Sequence, residues 1–353
     1  MKIHNFSSGP AILPAEVMQE AAEGVKDLHG SGLSILEISH RSAAFKAILD
    51  EAVALVYELL NIPQDDYAVL FLTGGASSQF YMAPMNLLAA DQTAGYLDTG
   101  SWSTKAIKEA KHFGKVHVVG SSKEANFTYI PQNYTVPADL RYLHLTSNNT
   151  IFGTQLHAWP ETDVPLVCDM SSDIFSRQLP IEKFGLIYAG AQKNMGPAGT
   201  TLVIVRKDML GQSGRAIPTM LDYNTHIGKN SAFNTPPVFP IYVSMLTMRW
   251  VKANGGVAAM EKINAEKAAM LYAEIDRNPR FKGTVTNNES RSLMNVTFVP
   301  TDEADTQPFF DACAAANIST INGHRSVGGF RASIYNAMPK SSVEHLIQVM
   351  QNF

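Results

Sequence analysis

The stretch Ala189-Gly190-Ala191-Gln192-Lys193-Asn194-Met195-Gly196-Pro197-Ala198-Gly199 stands between two apolar, β-rich segments, residues 186–188 and 202–205. An isolated lysine is usually a solvated surface residue. In this loop, however, glycines and alanines leave room for a ligand to approach the backbone. A partly desolvated lysine amine loses its proton more readily and can form a Schiff base. Pyridoxal phosphate (PLP) requires such an amine, so Lys193 is the predicted attachment point of that cofactor.

Further short segments rich in β-branched and apolar residues surround this stretch. With the two already named, the predicted strands cover residues 68–72, 95–97, 116–119, 142–145, 166–168, 186–188 and 202–205. Several of them are apolar on both faces, which is typical of a parallel sheet covered by helices. A helix is predicted from Phe45 to about residue 60, because apolar residues recur there at three- and four-residue spacing, with Ser42 as its N-cap. The sequence therefore predicts an α/β domain with a mainly parallel, seven-stranded sheet.

The chain has 353 residues, which suggests a second, smaller domain. After Ala253-Asn254-Gly255-Gly256 the pattern changes to an α+β alternation. One long helix is predicted from there to about residue 277, and further helices are predicted near residues 309–316 and at the C-terminus. Strands are predicted over residues 293–299 and 330–335. We expect a large domain over residues 16–254 and a small domain formed by residues 1–15 and 255–353.

Composition excludes several classes of function. The 28 lysines and arginines against 32 acidic residues leave a net charge of -4, so no basic excess favours nucleic acid or an anionic membrane. Two cysteines are too few for a disulfide framework. Neither they nor the histidines show metal-ligand spacing, so no metal is expected. The N-terminus lacks the apolar run of a signal peptide, and a cytoplasmic location is the prediction.

Two motifs at predicted strand ends suit other parts of a PLP site. Asp169 follows an apolar strand, where its carboxylate could keep a pyridine nitrogen protonated, although a loop N-cap is the alternative interpretation. Gly74-Gly75-Ala76-Ser77-Ser78 follows another strand and opens a helix, where free N–H groups favour an anion such as the cofactor phosphate. A tight strand-to-helix turn explains this loop equally well, and it lacks the lysine of a P-loop.

An aromatic residue and a proline-rich segment complete the first set of candidates. Trp102, in Gly100-Ser101-Trp102-Ser103, could lie against a planar pyridine ring, or it could fill the core. Residues 234–240, Asn234-Thr235-Pro236-Pro237-Val238-Phe239-Pro240, are predicted to form a stiff loop that continues neither a helix nor a central strand.

Two histidine–arginine pairs suggest anion recognition. His40-Arg41 precedes the first long predicted helix, and His324-Arg325 precedes Arg331 in the small domain. Arginine binds carboxylate and phosphate through two parallel hydrogen bonds. The pairs therefore suggest a substrate with a dianionic head and a separate α-carboxylate, with ordinary surface salt bridges as the alternative.

Taken in order, these motifs resemble the phosphoserine aminotransferase family of fold-type-I PLP enzymes over almost the whole chain. The resemblance is carried by Asn5-Phe6-Ser7-Ser8-Gly9-Pro10-Ala11, His40-Arg41-Ser42, Gly74 to Phe80, Gly100-Ser101-Trp102-Ser103, Asn148 to Gly153, Asp169-Met170-Ser171-Ser172, Tyr188 to Asn194, Asn234-Thr235-Pro236-Pro237 and His324 to Ala337. The resemblance implies the fold-type-I architecture and reversible amino transfer between glutamate and 3-phosphohydroxypyruvate, which yields phosphoserine and 2-oxoglutarate in serine biosynthesis. 4-Phosphohydroxythreonine, in PLP biosynthesis, is a second implied product.

The resemblance also implies a role for each candidate residue. The cofactor contacts would be the Schiff-base lysine Lys193, its pyridine partner Asp169, the ring platform Trp102, the phenolic-oxygen donor Thr150 and the phosphate contacts Ala76, Ser77 and Gln192. Asn234 and Thr235 would reach the phosphate from a neighbouring subunit, which implies a homodimer with shared sites. Arg331 would hold the α-carboxylate, and the distal phosphate, or the side-chain carboxylate of glutamate, would be surrounded by His40, Arg41, His324 and Arg325. One departure is Ser77, where part of the family has arginine, so distal phosphate recognition would depend more on the histidine–arginine pairs.

Three other functions compete with this interpretation. A PLP lyase such as a cysteine desulfurase would need a mobile, reactive cysteine, whereas Cys168 and Cys313 fall within a predicted strand and helix. A noncatalytic phosphate-binding protein would leave Lys193 and Asp169 unexplained. An aminotransferase for another substrate pair, such as alanine and glyoxylate, would not need both histidine–arginine pairs.

Overall fold

The computed structural model describes residues 3–353, which form helices and strands joined by loops. The strands are β1 His4–Asn5, β2 Tyr67–Leu72, β3 Thr93–Asp98, β4 Lys115–Ser121, β5 Leu143–Thr146, β6 Asn148–Asn149, β7 Thr154–Gln155, β8 Leu166–Asp169, β9 Phe184–Gly190, β10 Thr201–Arg206, β11 Phe281–Gly283, β12 Asn295–Pro300, β13 Ile318–Ser319 and β14 Phe330–Ser333. The α-helices are α1 Ala15–Lys26, α2 Ala43–Leu59, α3 Gly75–Leu87, α4 Ser101–Ala110, α5 Tyr223–Ile227, α6 Val238–Ala253, α7 Gly256–Arg277, α8 Thr306–Ala315 and α9 Lys340–Asn352.

A seven-stranded sheet has the order β2-β10-β9-β8-β5-β3-β4. Strand β10 is antiparallel to both of its neighbours, and the remaining pairs are parallel. Every residue of the central strands β8 and β9 is buried, because helices cover both faces. The predicted mainly parallel sheet is confirmed, and each of the seven predicted segments is one of its strands.

Alternating residues of the sheet enter two different hydrophobic cores. On β2, Val69 and Phe71 pack into the core beneath α2 and α6, whereas Leu70 and Leu72 pack into the core beneath α3 and α4. This alternation follows from the period of two in a strand.

The predicted N-cap of α2 is confirmed, since Ser42 Oγ accepts a hydrogen bond of 3.2 Å from the backbone N–H of Phe45.

One local prediction is wrong. Residues 234–240 were expected to form a loop throughout, but α6 begins at Val238 and includes Pro240 in its first turn. Proline is tolerated there because the first N–H groups of a helix have no intrahelical acceptor. The loop is therefore restricted to residues 234–237.

The C-terminal part of the chain builds a smaller α+β unit. Strands β11, β12 and β14 form an antiparallel sheet that packs against α7, α8 and α9. The N-terminal segment joins this unit, because β1 pairs in parallel with β13 and Phe6 lies in its core. The division at residues 15/16 and 254/255 stays a prediction, and Met1 and Lys2 lie outside the described residues. Over residues 3–353 no helix is both long enough and apolar enough to cross a bilayer.

Candidate active site

The candidate cofactor residues lie where the strands of the large sheet end. Asp169 is the last residue of β8, and Lys193 follows β9 by three residues. Helices α3 and α4, which follow β2 and β3, begin at the same edge and bring the Gly74 loop and Trp102 to it. Open α/β sheets bind ligands at the carboxyl ends of their strands. The topology therefore gathers these sequence-distant residues into one crevice.

Asp169 presents one free carboxylate oxygen to this crevice. Its side chain is buried, and Oδ1 accepts hydrogen bonds from the Ser171 backbone N–H at 3.0 Å and from the Ser171 hydroxyl at 2.7 Å. Oδ1 thus caps the loop that follows β8, which was the alternative interpretation of Asp169. Among residues 3–353, Oδ2 receives no hydrogen bond, so it can accept one from a ligand N–H. Burial raises the pKa of Asp169, while the charge of Lys193 opposes that shift.

The amine of Lys193 is held without a hydrogen-bond acceptor in the part of the chain that the structure describes. Its Nζ lies 5.3 Å from the centroid of the Trp102 ring. Burial lowers the pKa of Lys193, Arg331 lowers it further, and Asp169 acts in the opposite direction. A lowered pKa increases the fraction of neutral amine, which is the form that attacks a carbonyl carbon.

Trp102, Thr150 and Arg331 form one connected set. The indole Nε1 of Trp102 donates a hydrogen bond of 3.2 Å to Thr150 Oγ1, so the hydroxyl hydrogen of Thr150 stays available for a ligand oxygen. Arg331 donates a hydrogen bond of 2.8 Å from its guanidinium to the Thr150 carbonyl. Trp102 is half-buried rather than part of the closed core. The carboxylate-binding candidate is thus fixed beside the candidate ring platform.

The Gly74 loop forms the start of α3. Gly74 has φ 94°, a conformation that favours glycine, and the next residues begin the helix. The first-turn N–H groups of Ala76 and Ser77 have no intrahelical acceptor. Space is open above Gly75, where an added Cβ would meet no atom of the described residues within 4 Å. The side chain of Gln192 packs directly against Gly190: a Cβ added at Gly190 would be only 2.8 Å from Gln192 Oε1. An anion can be held at this helix terminus.

A second cleft, of about 390 Å³, contains the distal candidates His324 and Arg325 together with Arg331. Within residues 3–353 neither of these arginines forms an ion pair with a carboxylate, so the surface salt-bridge alternative does not hold for them. The Ser326 backbone N–H donates to His324 Nδ1 at 3.2 Å, which leaves the hydrogen on Nε2 free to donate to an anion.

Some predicted residues do not join these clefts within one chain. His40 and Arg41 are not part of the wall of the cleft that contains His324. Asn234 lines a separate cavity of about 150 Å³ beside Gly74, and Thr235 is exposed next to it. Their predicted roles, like those of the other site residues, stay proposals.

Lys105 is a candidate that sequence reasoning missed. It stands one helical turn after Trp102 on α4, and its Nζ lies 4.5 Å from the centroid of the Trp102 ring. Burial lowers the pKa of His324, and the charges of Arg331, Arg325 and Lys105 lower it further. Lys105 thus adds positive charge beside the distal cleft. The spacing of three from Trp102 was the available signal.

The cysteines are unsuited to catalysis. Cys168 and Cys313 are both buried. Burial raises the pKa of the Cys168 thiol well above its usual value and that of Cys313 to about 12. A reactive thiolate needs the opposite environment, which disfavours the desulfurase alternative. Among the described residues, no group of three or more His, Cys, Asp or Glu residues could hold a metal ion.

Comparisons with known proteins agree with this site. The sequence profile of the family described as Aminotransferase class-V matches residues 3–346. The chain belongs to the class-V aminotransferase family. A relative of this class-V aminotransferase is the phosphoserine aminotransferase of Flavobacterium johnsoniae, which is 60% identical over 99% of this chain and 98% of its own.

Solved structures are similar to this class-V aminotransferase over nearly their whole length. Phosphoserine aminotransferase from Bacillus circulans subsp. alkalophilus superposes with a TM-score of 0.96 at 46% identity, covering 99% of this chain and 98% of its own. PLP-bound phosphoserine aminotransferase from Trichomonas vaginalis gives 0.94 at 37% identity, covering 99% and 100%. The fold-type-I prediction is confirmed.

The residues present fit PLP, which is the cofactor of this enzyme. The free Oδ2 of Asp169 matches a protonated pyridine nitrogen, and the free hydroxyl hydrogen of Thr150 matches a phenolic oxygen. The amine of Lys193 is suited to bind the cofactor carbonyl carbon, and the start of α3 is suited to bind the cofactor phosphate.

Proposed function

We propose that this aminotransferase exchanges an amino group between glutamate and 3-phosphohydroxypyruvate, giving 2-oxoglutarate and phosphoserine, with 4-phosphohydroxythreonine as a second product. The observation that carries this proposal is the cleft shared by His324, Arg325 and Arg331. Its arginines have no carboxylate partner within residues 3–353, so they can bind a phosphate and a carboxylate at once. The names of the relatives support the same substrate.

Each site residue has a specific task in this proposal. When bound, PLP stabilises negative charge at the substrate α-carbon, which permits the exchange of an amino group for an oxo group. Asp169 Oδ2 would hold the proton on the pyridine nitrogen, and Trp102 would orient the ring. Lys193 Nζ would hold the cofactor at its carbonyl carbon. When it is not engaged in that bond, the same amine would take up and release the proton of the substrate α-carbon. Arg331 would orient the α-carboxylate.

The two half-reactions can be tested separately by visible absorbance. The purified protein with PLP is expected to show the coloured band of the lysine-bound cofactor, and glutamate is expected to remove it. Adding 3-phosphohydroxypyruvate should then restore it. If no band forms, the cofactor site is wrong. If glutamate removes the band but only an unphosphorylated keto acid restores it, the substrate proposal is wrong.

Arg325 is expected to discriminate phosphorylated from unphosphorylated substrate. Replacing it with alanine removes a charge-assisted bond to the distal phosphate, a loss of about 1.5–3 kcal/mol. We expect kcat/KM for 3-phosphohydroxypyruvate to fall about 10- to 10²-fold. For hydroxypyruvate, which has no phosphate, the same substitution should change kcat/KM by less than about threefold.

Arg277→Ala is the matched control, because Arg277 is an exposed arginine of the small unit that pairs with Glu274. It should leave kcat/KM for both keto acids unchanged. Equal losses for the two keto acids in Arg325→Ala would contradict the assignment of Arg325 to the phosphate.

A homodimer with shared sites belongs to the same proposal. Asn234 and Thr235 are exposed, as are the large apolar side chains of Leu33, Leu36 and Phe233. Exposed apolar side chains are frequent at protein–protein interfaces. We expect light scattering to give twice the mass of one chain at assay concentrations, and a single-chain mass in the fully active enzyme would contradict shared sites. A cytoplasmic location also stays a proposal, supported by the reduced, buried cysteines.

A further inference from the structure

Three buried asparagines, Asn194, Asn264 and Asn336, are joined by hydrogen bonds between the large and small parts of the molecule. We call them the asparagine junction. Their exposed fractions are 6%, 1% and 5%. Buried amides carry a cost unless they are hydrogen-bonded, so the partners that these side chains choose restrict the backbone around them.

Asn194 directly follows Lys193 and ties it to two other segments. Its Nδ2 donates a hydrogen bond of 2.6 Å to the Ile174 carbonyl, in the turn that follows Asp169. Its Oδ1 accepts a hydrogen bond of 2.9 Å from the backbone N–H of Asn336. One side chain thus connects the Lys193 loop, the Asp169 turn and the small unit.

Asn336 extends the connection. Its Nδ2 donates to the Phe175 carbonyl at 2.9 Å, and its Oδ1 accepts from Asn264 Nδ2 on α7 at 2.7 Å. Phe175 has φ 59°, which is uncommon for a bulky residue and persists only where the surroundings hold it. The junction therefore fixes a strained turn as well as the lysine loop.

Lys267 holds the segment that carries Asn336. Its fully buried amine donates to the carbonyls of Ile334, Tyr335 and Met338 at 2.9, 2.7 and 3.1 Å. Burial lowers the pKa of Lys267 to about 7, yet three acceptors match the three hydrogens of an ammonium group. This segment continues β14, the strand of Arg331, so Arg331 is anchored to the same framework.

We propose that Asn194 and Asn336 are positioning residues that set Lys193 relative to Arg331. This inference rests on the proposed function, because it takes Lys193 as the group that moves the α-proton and Arg331 as the α-carboxylate site. With those two roles, the α-carbon of a bound substrate must be within reach of both groups. Small displacements of a catalytic group lower the rate far more than they lower binding.

The test compares Asn194→Ala with Asn278→Ala. The Asn278 side chain makes three hydrogen bonds, all within the small unit. Its Nδ2 donates to the Glu274 carboxylate and to the Met350 carbonyl, both at 3.0 Å, and its Oδ1 accepts from the Arg280 backbone N–H at 3.1 Å. Asn194→Ala is expected to lower kcat about 10- to 10²-fold while KM for glutamate changes by less than about threefold. It should also move the pH midpoint of the bound cofactor's absorbance by about half a unit or more. Asn278→Ala should alter neither kcat nor the midpoint, even where both variants lose the same thermal stability.

Asn336→Ala provides an independent measure if Asn194→Ala does not fold. It retains the backbone N–H to Asn194 but loses the ties to Phe175 and Asn264, so a smaller fall in kcat, about 3- to 10-fold, is expected. Wild-type kcat and an unmoved midpoint in the foldable variant would overturn the inference while leaving the proposed function intact. If the wild type itself lacked both half-reactions, the proposed function would fail, and the midpoint would still report on the junction.

Discussion

Replacing Lys193 with alanine is expected to lower kcat for amino transfer by about 10⁴-fold. In the proposed function, the substitution removes both the amine that holds the cofactor and the group that moves the α-proton. Positioned proton transfer alone is worth about 10²- to 10⁴-fold. Steady-state kinetics with glutamate and 3-phosphohydroxypyruvate measures the loss. A second measurement is borohydride reduction in the presence of PLP, followed by peptide mass analysis, which should find the cofactor attached to the Lys193 peptide of the wild type only.

Lys207→Ala is the control. The Lys207 amine donates to the carbonyls of Gln64 and Asp65 at the opposite end of the sheet, so its removal should leave both kcat and labelling unchanged. Labelling of any other lysine in the wild type would contradict the assignment of Lys193.

Asp169→Asn is expected to lower kcat by about 10²- to 10³-fold, the usual cost of removing one preorganised electrostatic contact at a reacting group. Asparagine has a similar shape but no charge to retain a proton on the pyridine nitrogen. In the wild type, activity should be present above the pKa of Asp169, which burial raises, and should decrease as pH falls through it. That acidic limb should be absent from the pH profile of the variant.

The matched control is Asp208→Asn, at the exposed ion pair with Arg206, where the two side chains are 2.7 Å apart. It should retain wild-type kcat at every pH. If Asp169→Asn kept kcat within about threefold of the wild type, its role as the pyridine partner would be wrong.

The large sheet could be predicted because the residue composition of each short segment is enough to identify it as a strand. The run from Tyr67 to Leu72 is apolar on both faces, and a strand with helices on both sides needs that composition. Helix α6 was not predicted, because prolines stand just before it and within its first turn and local propensity therefore disfavours a helix there. Tertiary packing stabilises the helix despite this propensity.

The gathering of Asp169, Lys193 and Trp102 at one sheet edge could be predicted, because each of them lies at the end of a strand or shortly after it. Asp169 and Trp102 lie at the same sheet edge whatever their separation along the chain. No such rule applies to His40 and Arg41, which precede a helix and do not line the cleft that contains His324. Lys105 was overlooked because only its position relative to Trp102 distinguishes it from other surface lysines.

The asparagine junction could not be predicted from sequence periodicity. Asn194 and Asn336 are 142 residues apart, and each of them bonds to a backbone group. Because a backbone group is present at every position, the sequence contains no signal that identifies the partner. Polar contacts between distant loops are set by tertiary structure alone.

The parallel pairing of β1 with β13 has a consequence for how this protein folds during its synthesis on the ribosome. The partners of His4 and Asn5, Ile318 and Ser319, are synthesised more than three hundred residues after them. Domains generally fold in the order in which they leave the ribosome. The large sheet can therefore form while the N-terminal segment still waits for its partner. Arg331 is translated after Ser319, so the large sheet can form before Arg331 joins the crevice.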